Sequence, residues 1–206
     1  MTNAISQPRT GRVIRSSRVA EKRSRLYSAL LEVAARLFIE KSVANVSVED
    51  IIAAAGTSRA TFYGFFANKA ELIAAALGPV FETAASRMHE LQSMPAEAVI
   101  PGIIDLYLQL WADNANALRL IGALDESVFP YIADAHNDYV QTLRSLMDKP
   151  AAAGLLRSGS ADYSFRVLGR TAVPLLRAYH EHPEMEKHYR NSMLALLTKP
   201  TGEKHA

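Results

Sequence analysis

The chain has 206 residues, of which 49% are hydrophobic and 21% charged, and this balance excludes a wholly disordered protein. It has no cysteine, which excludes disulfide scaffolds, zinc fingers and cysteine nucleophiles. The net charge is only +2, yet residues 1–25 carry seven basic residues and one acidic residue, so positive charge is concentrated at the N-terminal end. Residues 1–18 lack apolar periodicity and are predicted to form a basic disordered arm.

From residue 19 onward the pattern predicts helices. The apolar face of the first helix, which ends near Lys41, consists of Leu26, Leu30, Val33 and Leu37. A second, short helix is predicted to begin after Ser47, a good N-cap residue, with Asp50 three residues on as a variant of the capping box. This helix ends before Gly56, because glycine permits the tight turn that follows.

Ser58 is predicted to cap a third short helix over residues 59–65, and a fourth helix begins at Lys69. Further helices are predicted near residues 96–113, 116–124, 128–148, 161–181 and 184–198. The expected fold class is therefore all-α, with about nine helices. Residues 19–72 are predicted to form a three-helix domain with a helix-turn-helix, and residues 73–206 a C-terminal helical domain.

Two short helices joined by a glycine-containing turn are typical of a DNA-binding helix-turn-helix. The third helix is predicted to present Ser58, Arg59, Thr61 and Tyr63. An arginine there can donate to guanine edges, while threonine and tyrosine hydroxyls can contact phosphates. Lys69 would add a phosphate-binding corner at the start of the fourth helix.

The basic arm has two interpretations. Arg12, Arg15 and Arg18 recur every three residues beside the helix-turn-helix, so they can follow DNA phosphates or enter a minor groove. Alternatively, the arm is a solvated tail that contacts no DNA.

Residues 56–72 read Gly-Thr-Ser-Arg-Ala-Thr-Phe-Tyr-Gly-Phe-Phe-Ala-Asn-Lys-Ala-Glu-Leu. This stretch resembles the signature of the TetR family of bacterial transcriptional regulators. The resemblance implies a homodimer with an N-terminal DNA-binding domain and a C-terminal domain that binds an effector and forms the dimer interface. It implies DNA contacts by Ser47, Arg59, Thr61, Tyr63 and Lys69. The chain departs from the family pattern at Gly64, often a bulky residue, and at Phe65, often histidine or tyrosine.

The C-terminal two thirds of the sequence contain large apolar and aromatic residues with two interpretations. The residues proposed to line a ligand pocket are Met88, Tyr107, Trp111, Phe129, Tyr139 and Met147. The same residues suit an ordinary helix-bundle core, and the family resemblance favours a cavity. By the same resemblance, the apolar segments 167–176 and 193–197 are expected to form the dimer interface.

These observations predict a ligand-responsive transcriptional regulator. It is expected to be a repressor that binds a palindromic double-stranded DNA operator as a homodimer and is released by a small apolar or amphipathic effector. The alternatives are a DNA-binding module without an effector and a helical ligand carrier or enzyme with a vestigial helix-turn-helix. Ligand-induced release from DNA would separate the first two, and salt-dependent DNA binding would exclude the third.

Other site classes have little support in the sequence. It lacks a Gly-x-Ser-x-Gly elbow, a zincin pair and a dinucleotide fingerprint, so a non-enzyme without a cofactor is expected. His180, His182 and His188 do not have the spacing of a zinc site, so no metal is expected. No run reaches the roughly 18 apolar residues of a membrane span and no secretory signal occurs, so a cytoplasmic protein without a membrane partner is predicted.

Overall fold

The computed structural model describes the backbone of residues 10–123 and 126–200, and the side chains of residues 18–121 and 126–200. The described chain forms eight α-helices: α1 (Thr10–Lys41), α2 (Val48–Ala54), α3 (Arg59–Tyr63), α4 (Lys69–Leu91), α5 (Ala96–Arg119), α6 (Phe129–Ala152), α7 (Ala161–Tyr179) and α8 (Met185–Leu197). Two short 3₁₀ helices span Val43–Asn45 and Leu120–Ala123. The all-α fold class is confirmed.

The number of helices falls short of the predicted nine because two predicted helices form one. The expected break at Asn114 is a kink within α5, where Asn114 has φ −142° and ψ 35° and the helix continues on both sides. The predicted break therefore coincides with the residue at which the backbone leaves the helical conformation, and α5 consists of two helical segments joined at this kink.

The start of α1 corrects the predicted boundary of the N-terminal arm. The helix begins at Thr10, so the arm predicted for residues 1–18 is helical over its second half, and residues 1–9 lie outside the described residues. Arginine, lysine, glutamate and alanine have high helix propensity, so an exposed helix extends beyond its apolar face. The absence of apolar periodicity therefore did not indicate disorder here.

The chain divides into two compact units, Met1–Lys69 and Ala70–Ala206. In the first unit, α1 packs against α2 and the first 3₁₀ helix. Its buried core consists of Leu30, Ala34, Leu37, Phe38, Val46, Ile51, Phe62 and Phe66. The centre of the α1 face is thus the i, i+4, i+8 line Leu30, Ala34 and Phe38, while the predicted Leu26 and Val33 lie half-buried at its edges.

In the second unit, α5 to α8 pack against one another, and α4 contributes Val80, Ala84 and Met88 to their core. Pro79, Pro101, Pro150 and Pro174 lie inside helices that continue through them. Each proline removes one intrahelical hydrogen bond, and packing of the surrounding apolar face offsets that loss. Within the described residues, no helix combines the length and apolar character required to cross a membrane.

Candidate nucleic-acid interface and helical-domain cavity

The turn between α2 and α3 is fixed by a glycine in the left-handed region. Gly56 has φ +60°, and its amide donates to the carbonyl of Ala53 at 3.2 Å. The amide of Thr57 donates to the carbonyl of Ile52 at 3.1 Å. A side chain at Gly56 would be strained by this φ value. The predicted tight turn is confirmed.

Both short helices begin with the serine caps expected from the sequence. Ser47 Oγ accepts from the Asp50 amide at 3.1 Å, and the Ser47 amide donates to Asp50 Oδ2 at 2.8 Å, which completes a capping box. The Ser47 hydroxyl and the Ser47 amide lower the pKa of the Asp50 carboxyl group, because both donate to the carboxylate. In α3, Ser58 Oγ accepts from the Thr61 amide at 3.1 Å. These caps fix where α2 and α3 start.

The outer surface of α3 is formed by polar side chains over a buried aromatic base. Phe62 is fully buried, whereas Tyr63 is 51% exposed. Arg59 is exposed and forms an ion pair with Glu49 of α2. Thr61 is half-buried, and its hydroxyl lies 2.8 Å from that of Ser58. The helix therefore presents an arginine and a tyrosine to solvent.

An arginine of α1 holds the C-terminal end of α3. Arg23 Nη2 donates to the carbonyl of Gly64 at 3.1 Å, and its guanidinium lies 4.7 Å from the centre of the Phe65 ring. The ring of Tyr27 contacts Phe65 edge-on, with centroids 5.7 Å apart. A Cβ at Gly64 would lie 3.2 Å from the Ala60 carbonyl oxygen, a close contact. Phe65 is therefore a packing residue that supports α3.

Lys69, at the start of α4, is held by the first 3₁₀ helix and the residue after it. Its Nζ donates to the carbonyl of Val43 at 2.8 Å and to that of Val46 at 2.9 Å. These bonds occupy two of the three ammonium donors. One donor remains for an external acceptor, so the lysine closes the unit and keeps a positive charge beside the N-terminus of α4.

The electrostatic balance differs between the two units. The first has eleven basic and five acidic residues, and the second has twelve basic and sixteen acidic residues. In α1, Arg18, Lys22, Arg23 and Arg25 are all exposed. A positive unit with a helix-turn-helix has the charge that a phosphate backbone attracts.

The second unit contains a cavity of about 380 Å³. Most of its lining is apolar, and the polar residues among its walls are tyrosines, a histidine and an arginine. The lining residues are Phe81, Tyr107, Ile121, His136, Tyr139, Val140, Leu143, Phe165, Gly169, Ala172, Val173, Pro174 and Arg177. A cavity of this size and polarity is suited to a small organic molecule.

The polar groups of the cavity are neutral except for the arginine. The hydroxyls of Tyr107 and Tyr139 are hydrogen-bonded to each other, and burial raises the pKa of both. Burial lowers the pKa of His136, whose ring contacts Phe81 and Phe129 with centroid distances of 5.4 and 5.0 Å. His136 Nδ1 is buried and has no hydrogen-bond partner among the described residues. The cavity thus holds a neutral imidazole with an unused polar atom.

Residues 30–76 match the family model described as "Bacterial regulatory proteins, tetR family". The matched stretch contains α2, the turn, α3 and the start of α4. The helix-turn-helix segment therefore resembles that of the TetR family, and the curated relatives point the same way. The chain is 38% identical over 98 residues to the HTH-type transcriptional regulator EthR of Mycolicibacterium smegmatis. The alignment covers 47% of this chain and 44% of EthR, so the chain spans less than half the length of this relative.

Solved structures share the fold over most of the chain. A tetR-family regulatory protein from Rhodococcus RHA1 has a TM-score of 0.69 at 15% identity and covers 85% of this chain and 98% of its own. The structure described as a SmeT–triclosan complex has a TM-score of 0.62 at 18% identity, with coverage of 85% and 93%. SmeT is the repressor of a multidrug efflux pump of Stenotrophomonas maltophilia. At these identities the likeness establishes the fold.

The structure brings most of the predicted DNA-contact residues together. Ser58, Arg59, Thr61 and Tyr63 lie on α3 or at its cap, and Ser47 caps the neighbouring α2. Arg18 is exposed on α1, whereas the side chains of Arg12 and Arg15 lie outside the described residues. Sequence reasoning missed Arg23 as a support for α3, because its partner Gly64 is 41 residues away in the chain.

Of the residues predicted to line a pocket, Tyr107 and Tyr139 line this cavity. Met88, Trp111 and Met147 are buried in the hydrophobic core of the second unit and are not among the residues that line the cavity. Phe129 is 40% exposed and contacts His136 without lining the cavity. The missed wall is α7, whose Phe165, Gly169, Val173 and Arg177 share a helix face at intervals of four. Gly169 and Val173 fall within the segment 167–176, for which the sequence predicts a place in the dimer interface, whereas Phe165 and Arg177 flank it.

Proposed function

We propose that this chain is a TetR-family transcriptional repressor that binds a palindromic DNA operator as a homodimer and is released by a small apolar or amphipathic molecule. The observation that carries the proposal is the helix-turn-helix of α2 and α3. It exposes Arg59 and Tyr63 on a unit with a large excess of basic residues. Arginine and tyrosine on a capped recognition helix provide one group for base edges and one for phosphates.

On DNA, Arg59 would exchange Glu49 for the O6 and N7 atoms of a guanine. Tyr63 and Thr61 would donate to phosphates, and the remaining donor of Lys69 would approach the same backbone. Ser47 contributes through its cap, which orients the first turn of α2 toward the duplex. The exposed basic residues of α1 would add contacts independent of sequence.

The cavity supports the effector part of the proposal. It is enclosed by four of the helices of the second unit and is large enough for a small organic molecule. The solved SmeT–triclosan complex shows that a protein of similar fold binds a small aromatic compound. A DNA-binding module without an effector has no need of an apolar cavity of this size. The cavity therefore favours a regulator that responds to a ligand.

The proposal of a homodimer rests on apolar side chains of α7 and α8 that remain partly exposed in the single protomer. Tyr163 is 63% exposed and Leu196 is 42% exposed, while Val167 and Leu194 are half-buried. Much of the predicted interface, including Leu168 and Met193, is buried within the protomer itself. Sedimentation at micromolar concentration is expected to give twice the chain mass of 22.6 kDa. A monomer at that concentration would contradict the dimer.

The proposal is tested by a gel-shift assay with the intergenic DNA beside the gene. The full chain should prefer this DNA over a scrambled duplex of equal length and composition. The slope of log K against log salt should be about −0.9 for each phosphate neutralised. Equal binding to both duplexes at every salt concentration would refute operator recognition. Displacement from DNA by small aromatic compounds then separates the ligand-responsive regulator from a module without an effector.

A further inference from the structure

The polar groups of the cavity described above are nearly all hydrogen-bond donors. Arg177 lines the cavity, and its guanidinium offers only donors. The Tyr107–Tyr139 pair uses one hydroxyl proton internally, so the second proton remains available for donation. No aspartate or glutamate is among the described residues that line the cavity. A ligand that supplies acceptors and negative charge matches this lining.

We propose that the cavity selects an apolar molecule that carries one carboxylate, with Arg177 binding the carboxylate and the aromatic and aliphatic walls enclosing the apolar body. This inference rests on the proposed function, because it names the class of effector that the same cavity takes. It excludes organic cations as the preferred class, since a cation would be desolvated beside Arg177 with no opposite charge in the lining.

Among the described residues, neither Arg177 nor Arg170 on the same helix is in an ion pair, but only Arg177 of these two lines the cavity. Arg166 is paired with Asp162 at 2.8 Å, and Arg190 is paired with Asp105. Among the described side chains, no carboxylate lies within 4.0 Å of the Arg177 guanidinium. Arg177 is exposed, so it lies where the cavity meets solvent and its charge does not require an internal partner. A ligand carboxylate would supply that partner through two parallel hydrogen bonds.

A second cation lies behind one wall of the cavity. The guanidinium of Arg144 is 4.6 Å from the centre of the Phe165 ring, and Phe165 lines the cavity. The unpartnered Nδ1 of His136 adds one more polar contact for an oxygen of the ligand. Phe165 and Arg177 are twelve residues apart on α7, so Arg144 adds positive charge beside the Phe165 wall while Arg177 supplies it at the other end of this helix face. Both charges favour an anion over an isosteric neutral molecule.

Calorimetric titration of the full chain near pH 7.5 tests the proposal with three probes of equal apolar body. The probes are 4-biphenylacetic acid, its methyl ester and 2-(4-biphenylyl)ethylamine, which are anionic, neutral and cationic. The acid is expected to bind at least tenfold more tightly than the ester and the amine. Equal affinities for acid and ester, a preference for the amine, or no binding of the acid would each overturn the proposal.

Variants of one position identify the anion site. Arg177→Gln should lower the affinity for the acid to that for the ester and leave the ester within about twofold, and Arg177→Lys should keep the preference for the acid. Arg170→Gln is the matched control, since Arg170 is exposed on the same helix and does not line the cavity. If Arg177→Gln weakens acid and ester equally, Arg177 is a packing residue and the proposal is wrong.

DNA-binding regulation and the carboxylate preference of the cavity are tested by different assays. If the ester releases the chain from operator DNA as well as the acid does, the regulator function stands and the carboxylate preference is overturned. If the chain does not bind the intergenic DNA, the proposed function fails. In that event, the calorimetric preference for the acid still decides the chemistry of the cavity.

Discussion

Replacing Lys69 with methionine should destabilise the first unit. Lys69 is the first residue of α4, and its ammonium group donates to the backbone carbonyls of Val43 and Val46. Lys69→Met keeps the length of the side chain and removes its donors. The bonds of 2.8 and 2.9 Å to Val43 and Val46 are charge-assisted. Each such bond contributes about 1.5–3 kcal/mol when it is fully desolvated. Lys69 is half-buried, so water recovers part of this energy and about 2–3 kcal/mol is expected for the pair.

The measurement is equilibrium unfolding in urea, followed by circular dichroism, with thermal unfolding as a second readout. For a chain of this length, a loss of 2–3 kcal/mol should lower the melting temperature by about 4–12 °C. Lys22→Met is the control, because Lys22 is exposed on α1 and its loss should change the free energy of unfolding by less than about 0.5 kcal/mol. If Lys69→Met and Lys22→Met have the same free energy of unfolding, the two Lys69 hydrogen bonds do not stabilise the first unit and the prediction is wrong.

The same variant separates the structural role of Lys69 from a phosphate contact. A lost phosphate contact should reduce the salt slope of DNA binding by about 0.9 per protomer, even at temperatures where the variant is fully folded. A purely structural lysine would leave the slope unchanged. Lys149, in the second unit, donates to the carbonyls of Gln92 and Met94 at 2.6 and 2.9 Å. Lys149→Met therefore removes a similar pair of hydrogen bonds outside the helix-turn-helix unit.

Three further predictions concern the recognition helix and the cavity. Arg59→Ala should relax sequence preference at one base pair of each half-site, at a cost of about 1–3 kcal/mol, in a gel-shift competition with point-substituted operators; an unchanged preference would exclude base reading by Arg59. Gly169→Ala adds a Cβ that has no atom within 4 Å and should stabilise α7 by about 0.5–1 kcal/mol in urea unfolding; destabilisation would show that the site is tighter than described. The lowered pKa of His136 means that the unfolded chain binds the proton more readily, so stability should fall as pH drops through the ordinary value of 6.5. His136→Phe should flatten this part of the pH–stability profile, and parallel profiles for the two proteins would contradict the assignment; the other ionisable groups on the same cavity are Tyr107, Tyr139 and Arg177.

The sequence predicted the features whose partners lie within a few residues. Gly56, Ser47 and Ser58 act through their own turn or the first turn of a helix, so local spacing was enough to place them. These residues define the helix-turn-helix, which explains why that part of the site could be recognised.

The features that depend on distant partners were not predictable in this way. Arg23 meets Gly64, and Lys69 meets Val43, only because helices fold back on one another. The cavity wall on α7 was missed for a related reason. An apolar helix face has the same periodicity whether it packs against a core, a cavity or a second protomer. The sequence around Val173 therefore does not indicate which of these three environments the residue contacts.

The hydrogen bond between Tyr107 and Tyr139 affects which molecules can bind in the cavity. One hydroxyl donates to the other, so both oxygens take part in a hydrogen bond and one hydroxyl proton stays available. A stray hydrocarbon or lipid chain that pushed the rings apart would strand two buried hydroxyls, and burying a polar group without a partner is costly. A molecule with its own acceptor can engage the spare proton and leave the pair intact. Separating the two tyrosines therefore costs free energy, so this part of the cavity favours a molecule with its own hydrogen-bond acceptor over an apolar molecule that pushes the rings apart.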